Sequence, residues 1–155
     1  MSRQSLMLKK FLIAGFAFML SGSVDAQNFN QALADSLGAD PYGMKQYVLV
    51  ILKTGSNSIA DKKITDSLFA GHLQNIQRLA DAGKLVVAGP FGQNDQAWRG
   101  IFILNVSSIK EARLLLETDP VIRVKLLEAD CYPWYGSAAL PLYLPVHQTI
   151  QKEKF

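Results

Sequence analysis

The chain has 155 residues, 49% hydrophobic and 19% charged, with 16 Lys+Arg, 13 Asp+Glu, two His and one Cys. The length suits a single domain, and the apolar content excludes a disordered chain. One cysteine excludes a disulfide framework, no segment recurs at a fixed period, and the meaning of the +3 net charge depends on where the charges sit.

The first 26 residues read as a secretory signal peptide. Arg3, Lys9 and Lys10 make a positive start, the apolar run FLIAGFAFML follows, and Val24-Asp25-Ala26 offers a small-x-small cleavage site. The uncharged stretch from Phe11 to Val24 is shorter than the roughly 20 residues a helix needs to cross a bilayer. Cleavage near Ala26 removes three bases and one acid (Asp25), so the net charge falls from +3 to +1. The basic balance belongs mostly to the signal, which leaves no support for a nucleic-acid partner. The expected location is periplasmic or secreted, with no stable membrane anchoring after cleavage. Cys131 is the only thiol, so no internal bridge forms. A buried, inert side chain is the plain reading, with an intermolecular disulfide or a reactive thiol as alternatives.

Residues 27–44 form a leader segment with one or two helical turns in NQALADSL. Gln46–Lys53 (QYVLVILK) is rich in β-branched and aromatic residues and reads as a buried strand. A helix is expected over Asp66–Ala82, where Leu68, Phe69, Leu73, Ile76, Leu79 and Ala80 recur at three- and four-residue steps. Gly83 stands where a left-handed C-terminal cap belongs. Lys84–Ala88 is a short strand stopped by Gly89-Pro90, Gly92–Ala97 a polar hairpin connection, and Trp98–Val106 the next strand. Ser108 and Glu111 have capping-box spacing for a second helix, ended by Asp119-Pro120. A further helical turn within Val121–Leu127 is expected, then a last strand over Glu128–Tyr135. Gly136–Phe155, with Pro141 and Pro145, reads as an extended arm or an extra strand.

The order β-α-β-β-α-β is an α+β, ferredoxin-like arrangement: a four-stranded antiparallel sheet with two helices on one face. The opposite face draws on Tyr47, Leu49, Ile51, Ile101 and Ile103 and is apolar too, which points to a homodimer through that face.

No Gly-rich phosphate loop, CxxC, HExxH or GxSxG occurs, and two histidines cannot supply a multi-His metal site, so no cofactor and no metal are expected. His72 borders the buried helix face between Leu68 and Ile76. An imidazole, with an ordinary pKa of about 6.5, exchanges protons near neutrality and needs a carboxylate to orient it. Asp119 closes the second helix on the same side of the sheet. The competing reading is a capping aspartate and a histidine at the edge of the core. Tyr132, Trp134 and Tyr135 are candidates to line a pocket for a flat ligand, or else belong to core or interface. Arg99 is a candidate anion ligand or a solvated strand end, and His147 falls in an exposed tail.

These residues also carry a resemblance. His72-Leu73, Ile76, Leu79, Gly83-Lys84-Leu85 and Gly89-Pro90, followed by Asp119-Pro120 and Pro133-Trp134, resemble the YciI-like (YCII-related) family over about Lys45 to Tyr135. The resemblance implies a dimeric α/β barrel, a YciI-like domain over residues 45–136 and a C-terminal extension over 137–155. It also implies an active site built on a His and an Asp, matched here by His72 and Asp119. Family members and relatives include a dehydrochlorinase acting on chlorinated aromatic-ring products, and muconolactone isomerase is similar in fold. Such reactions move protons beside a carbonyl or eliminate a leaving group without a cofactor. The expectation is an exported, cofactor-independent lyase or isomerase acting on a small, aromatic-derived molecule. His72 and Asp119 are its catalytic candidates; Trp134, Tyr132 and Arg99 are its ligand-binding ones. The alternative is a noncatalytic small-molecule-binding or interaction module on the same fold. Haem binding, as in more distant barrel relatives, stands last because histidines are so few.

Overall fold

The computed structural model describes residues 29–153; the signal peptide and cleavage site expected from the sequence lie outside them. A short helix α1 (Gln31–Leu37) precedes strand β1 (Met44–Thr54) and helix α2 (Lys62–Asp81). Strands β2 (Leu85–Pro90) and β3 (Trp98–Leu104) follow, then helices α3 (Ile109–Leu116) and α4 (Pro120–Arg123), and strand β4 (Leu127–Ser137). The chain ends in a 3-10 turn (Leu140–Tyr143) that runs into helix α5 (Leu144–Ile150).

The sheet order is β2-β3-β1-β4, every neighbouring pair antiparallel, with β1 and β3 central. That is the ferredoxin-like order. Val48, Val50 and Leu52 of β1 alternate toward the helices and meet Phe102, Leu104, Leu79, Ala112, Leu116 and Val121 in the main core. The odd-numbered positions point the other way. Tyr47 and Ile103 are buried on that face, with Leu49, Trp134 and Leu140 packed against them.

Several boundaries move for identifiable reasons. Helix α2 starts four residues earlier than the periodicity suggested, because the Asp61 carboxylate accepts from the amides of Lys63 and Ile64 and caps it there. Its end is as expected: Gly83 takes a φ of +64°, which a glycine adopts without a Cβ clash. Gly89-Pro90 does not stop β2. Pro90 still pairs with Gly100, since β2 is an edge strand and the missing amide costs it no ladder bond. Ser108 caps α3 by accepting from the Glu111 amide, but the Glu111 carboxylate pairs with Lys84 Nζ at 3.2 Å instead of closing the box.

The tail differs most. It is helical, neither an extended arm nor an extra strand. Pro141 and Pro145 each fall in the first turn of their element, where the amide a proline lacks has no intrahelical partner. Leu140 of the tail packs on the Tyr47–Ile103 cluster of the face opposite α2–α4, and the Tyr143 hydroxyl donates to the Val86 carbonyl. Burial pushes the Tyr143 phenol above its ordinary pKa, so it remains the donor. Cys131 is half-buried against the main core, and burial raises its thiol pKa, which disfavours the nucleophilic thiolate.

Candidate active site

His72 projects from the middle of α2 into the layer between helix and sheet, its residue 9% exposed, beside Asn75 and Leu79. Its ring lies between two phenylalanines, edge-on to Phe69 and stacked on Phe102 at about 6 Å. Nδ1 sits 2.7 Å from Asp119 Oδ2, 47 residues away in sequence. Asp119 is fully buried.

Asp119 holds this place as the N-cap of α4. Pro120 occupies the first turn of that helix, and Asp119 Oδ1 accepts from the Val121 amide at 3.1 Å. Its other oxygen faces His72 and also receives Asn75 Nδ2 at 3.4 Å. Behind it, Arg78 donates to Asn75 Oδ1 at 2.6 Å and to the Thr118 hydroxyl at 2.7 Å. Asn75 thus bridges Arg78 to Asp119. An ionised carboxylate can only accept, so Nδ1 is the nitrogen that donates to Asp119, and in the neutral form of the ring the lone pair falls on Nε2.

Nε2 has no hydrogen-bond partner among the described residues and is not sealed off from solvent. His72 lines a cleft of ≈ 620 Å³ bounded by α2, by β2 and β3, and by α5. Phe69, Leu73, Ile76 and Ala80 form one wall. The apolar stripe expected to bury α2 therefore divides: Leu68 and Leu79 pack in the core, while Phe69 and Leu73 remain over a third exposed on the cleft. Arg99 also lines it, as do Tyr143, His147, Gln148 and Gln151 from the tail.

Of the candidates read from sequence, His72, Asp119 and Arg99 share this region. Trp134 and Tyr132 do not; alternation along β4 sends both to the opposite face, where Trp134 packs at 5.8 Å from the Tyr47 ring and Tyr132 is exposed. Tyr135 bonds Asp40 near the start of the domain, a contact that lowers the Asp40 pKa. His147 is exposed as expected, yet it lines the cleft. Asn75, Arg78 and Thr118 were not singled out from sequence. The available signal was the spacing His72–Asn75–Arg78–Leu79, which mixes polar residues into the buried helix face. Among the described residues no three His, Cys, Asp or Glu side chains gather as a metal site.

The pairing depends on close approach of α2 and α4. A Cβ on Gly71 would come 2.9 Å from Pro120 Cγ. Gly71→Ala is expected to cost about 1 kcal/mol net, overpacking outweighing the gain in helix propensity. Urea unfolding of the variant beside the parent protein would show that loss.

The fold and site define a ferredoxin-like α+β protein with a buried His–Asp pair opening onto a largely apolar cleft. No family model and no curated protein matches the chain. Among solved structures it is similar to 5-chloro-2-hydroxyhydroquinone dehydrochlorinase from Burkholderia phenoliruptrix, determined with 2,5-dihydroxybenzoquinone. The identity is 21% and the TM-score 0.40, over 56% of this chain and 92% of that one.

Proposed function

We propose that the protein is a cofactor-independent lyase or isomerase that moves a proton on a small, ring-bearing molecule in the cleft. The observation that carries this reading is His72: one nitrogen is tied to buried Asp119 and the other is free toward the apolar space. Nε2 takes a proton from a carbon beside a carbonyl, and the C–H electron pair moves into the carbonyl to give an enolate. Asp119 holds the ring and stabilises the imidazolium. Returning the proton to a different carbon isomerises the molecule; expelling an anion from the neighbouring carbon completes an elimination. A positioned base of this kind contributes on the order of 10²–10⁴-fold.

Proton NMR in deuterated buffer tests it on chlorinated hydroxyhydroquinones and unsaturated lactones. The expected result is deuterium incorporation or chloride release that His72→Gln abolishes. Binding with neither would leave a noncatalytic binding module, and an unchanged rate in His72→Gln would show that His72 is not the base.

Export after cleavage near Ala26 and a homodimer belong to the same proposal. For the dimer, the support is the second sheet face, where Leu49, Ile51 and Ile101 are half-buried and Tyr132 is exposed. Light scattering on residues 27–155 at micromolar concentration should give twice the monomer mass; a monomer would sink the dimer.

A further inference from the structure

The cleft carries a charge asymmetry that catalysis by His72 does not require. Arg99 lines it with an exposed guanidinium that makes no hydrogen bond or ion pair among the described residues. His147 lines it from α5, on the helix face shared with Leu144, Gln148 and Gln151, which recur at three, four and seven residues. The imidazole offers an N–H donor and has no partner among the described residues. The Tyr143–Val86 bond pins the start of α5 to the edge strand and so holds this wall in place.

One acid, Asp81, also lines the cleft, and topology sets it at the far end. Asp81 ends α2 just before β2 begins, whereas the Arg99 carbonyl accepts from the Phe91 amide just beyond the end of β2. The strand between them spans roughly 17 Å. Asp81 is already engaged, accepting from Gln77 Nε2 at 2.8 Å.

We propose that the cleft selects a flat apolar molecule bearing one anionic group, which Arg99 holds while the apolar body lies along Phe69 and Leu73. The inference rests on the reading that this cleft takes the reactant. A charge-assisted bond to a guanidinium is stronger than a neutral one and discriminates against uncharged isosteres. A cation would meet Arg99 unfavourably, and a wholly apolar ligand would press on it without compensation.

The test uses two dyes with one ring body: 1-anilinonaphthalene-8-sulfonate and the neutral N-phenyl-1-naphthylamine, titrated by fluorescence against the full mature chain. The sulfonate is expected to bind about tenfold tighter, a preference of the size one charged hydrogen bond supplies. Arg99→Gln should bring the ratio near one, whereas Lys110→Gln, remote from the cleft, leaves it unchanged. Equal binding of the two dyes, binding of neither, or a preference that survives Arg99→Gln would overturn the proposal. Binding is read without turnover, so its failure and that of the proton-transfer reading are separable.

Discussion

Asp119→Asn is expected to lower turnover by about 10²–10⁴-fold while leaving the protein folded. The carboxylate accepts on both oxygens, from the Val121 amide on one side and from His72 Nδ1 and Asn75 Nδ2 on the other. An asparagine offers one acceptor. The cap of α4 needs it, so the oxygen stays toward Val121 and the amide nitrogen turns toward His72. His72 must then accept at Nδ1 and carry its proton on Nε2, which removes the basic lone pair from the cleft. Two measurements check this together: steady-state rates, and the ¹⁵N signature of the His72 ring, which should switch tautomer. Full activity in Asp119→Asn would show that the base is elsewhere.

Asp119→Ala is expected to act on the fold as well, with a loss of about 2–6 kcal/mol. Losing the cap strands the Val121 amide, and each donor left buried without a partner costs about 1–3 kcal/mol. At least Val121 N and Asn75 Nδ2 are stranded in a fully enclosed position. Against a total stability of about 5–15 kcal/mol this is a large fraction. Urea unfolding should therefore rank wild type, Asp119→Asn and Asp119→Ala in that order, with the wide gap before the last. A loss under 1 kcal/mol for Asp119→Ala would mean the network contributes little to the fold. The two substitutions thus separate the aspartate's two tasks, orienting the imidazole and starting α4.

Much of the fold was legible because its signals are local. The apolar run of β1, the α2 stripe, Gly83 and the Ser108 cap each depend on neighbours within a few residues. The errors have local causes too. Asp61 reads as one more charged residue unless tested as a cap, and the tail prolines read as breakers unless placed in a first turn. The site was half legible. His72 and Asp119 are residue types that suit the chemistry, but Asn75, Arg78 and Thr118 are ordinary surface residues in sequence. Only the approach of α4 to α2 makes them a network.

The sequence by itself determined the α+β order of elements and the small number of histidine and cysteine side chains, two and one. Tertiary structure decided the rest. Period-2 alternation says that Tyr132 and Trp134 share a face, but not which face the helices cover, and that assignment takes them away from His72. The apolar stripe says that α2 buries one side, yet not that the sheet leaves Phe69 and Leu73 uncovered as the wall of a cleft. The tail was the least readable part. Its 3-10 turn is tied to β2 by a bond from Tyr143 to Val86, some sixty residues distant in sequence, and no local pattern encodes a partner that far away.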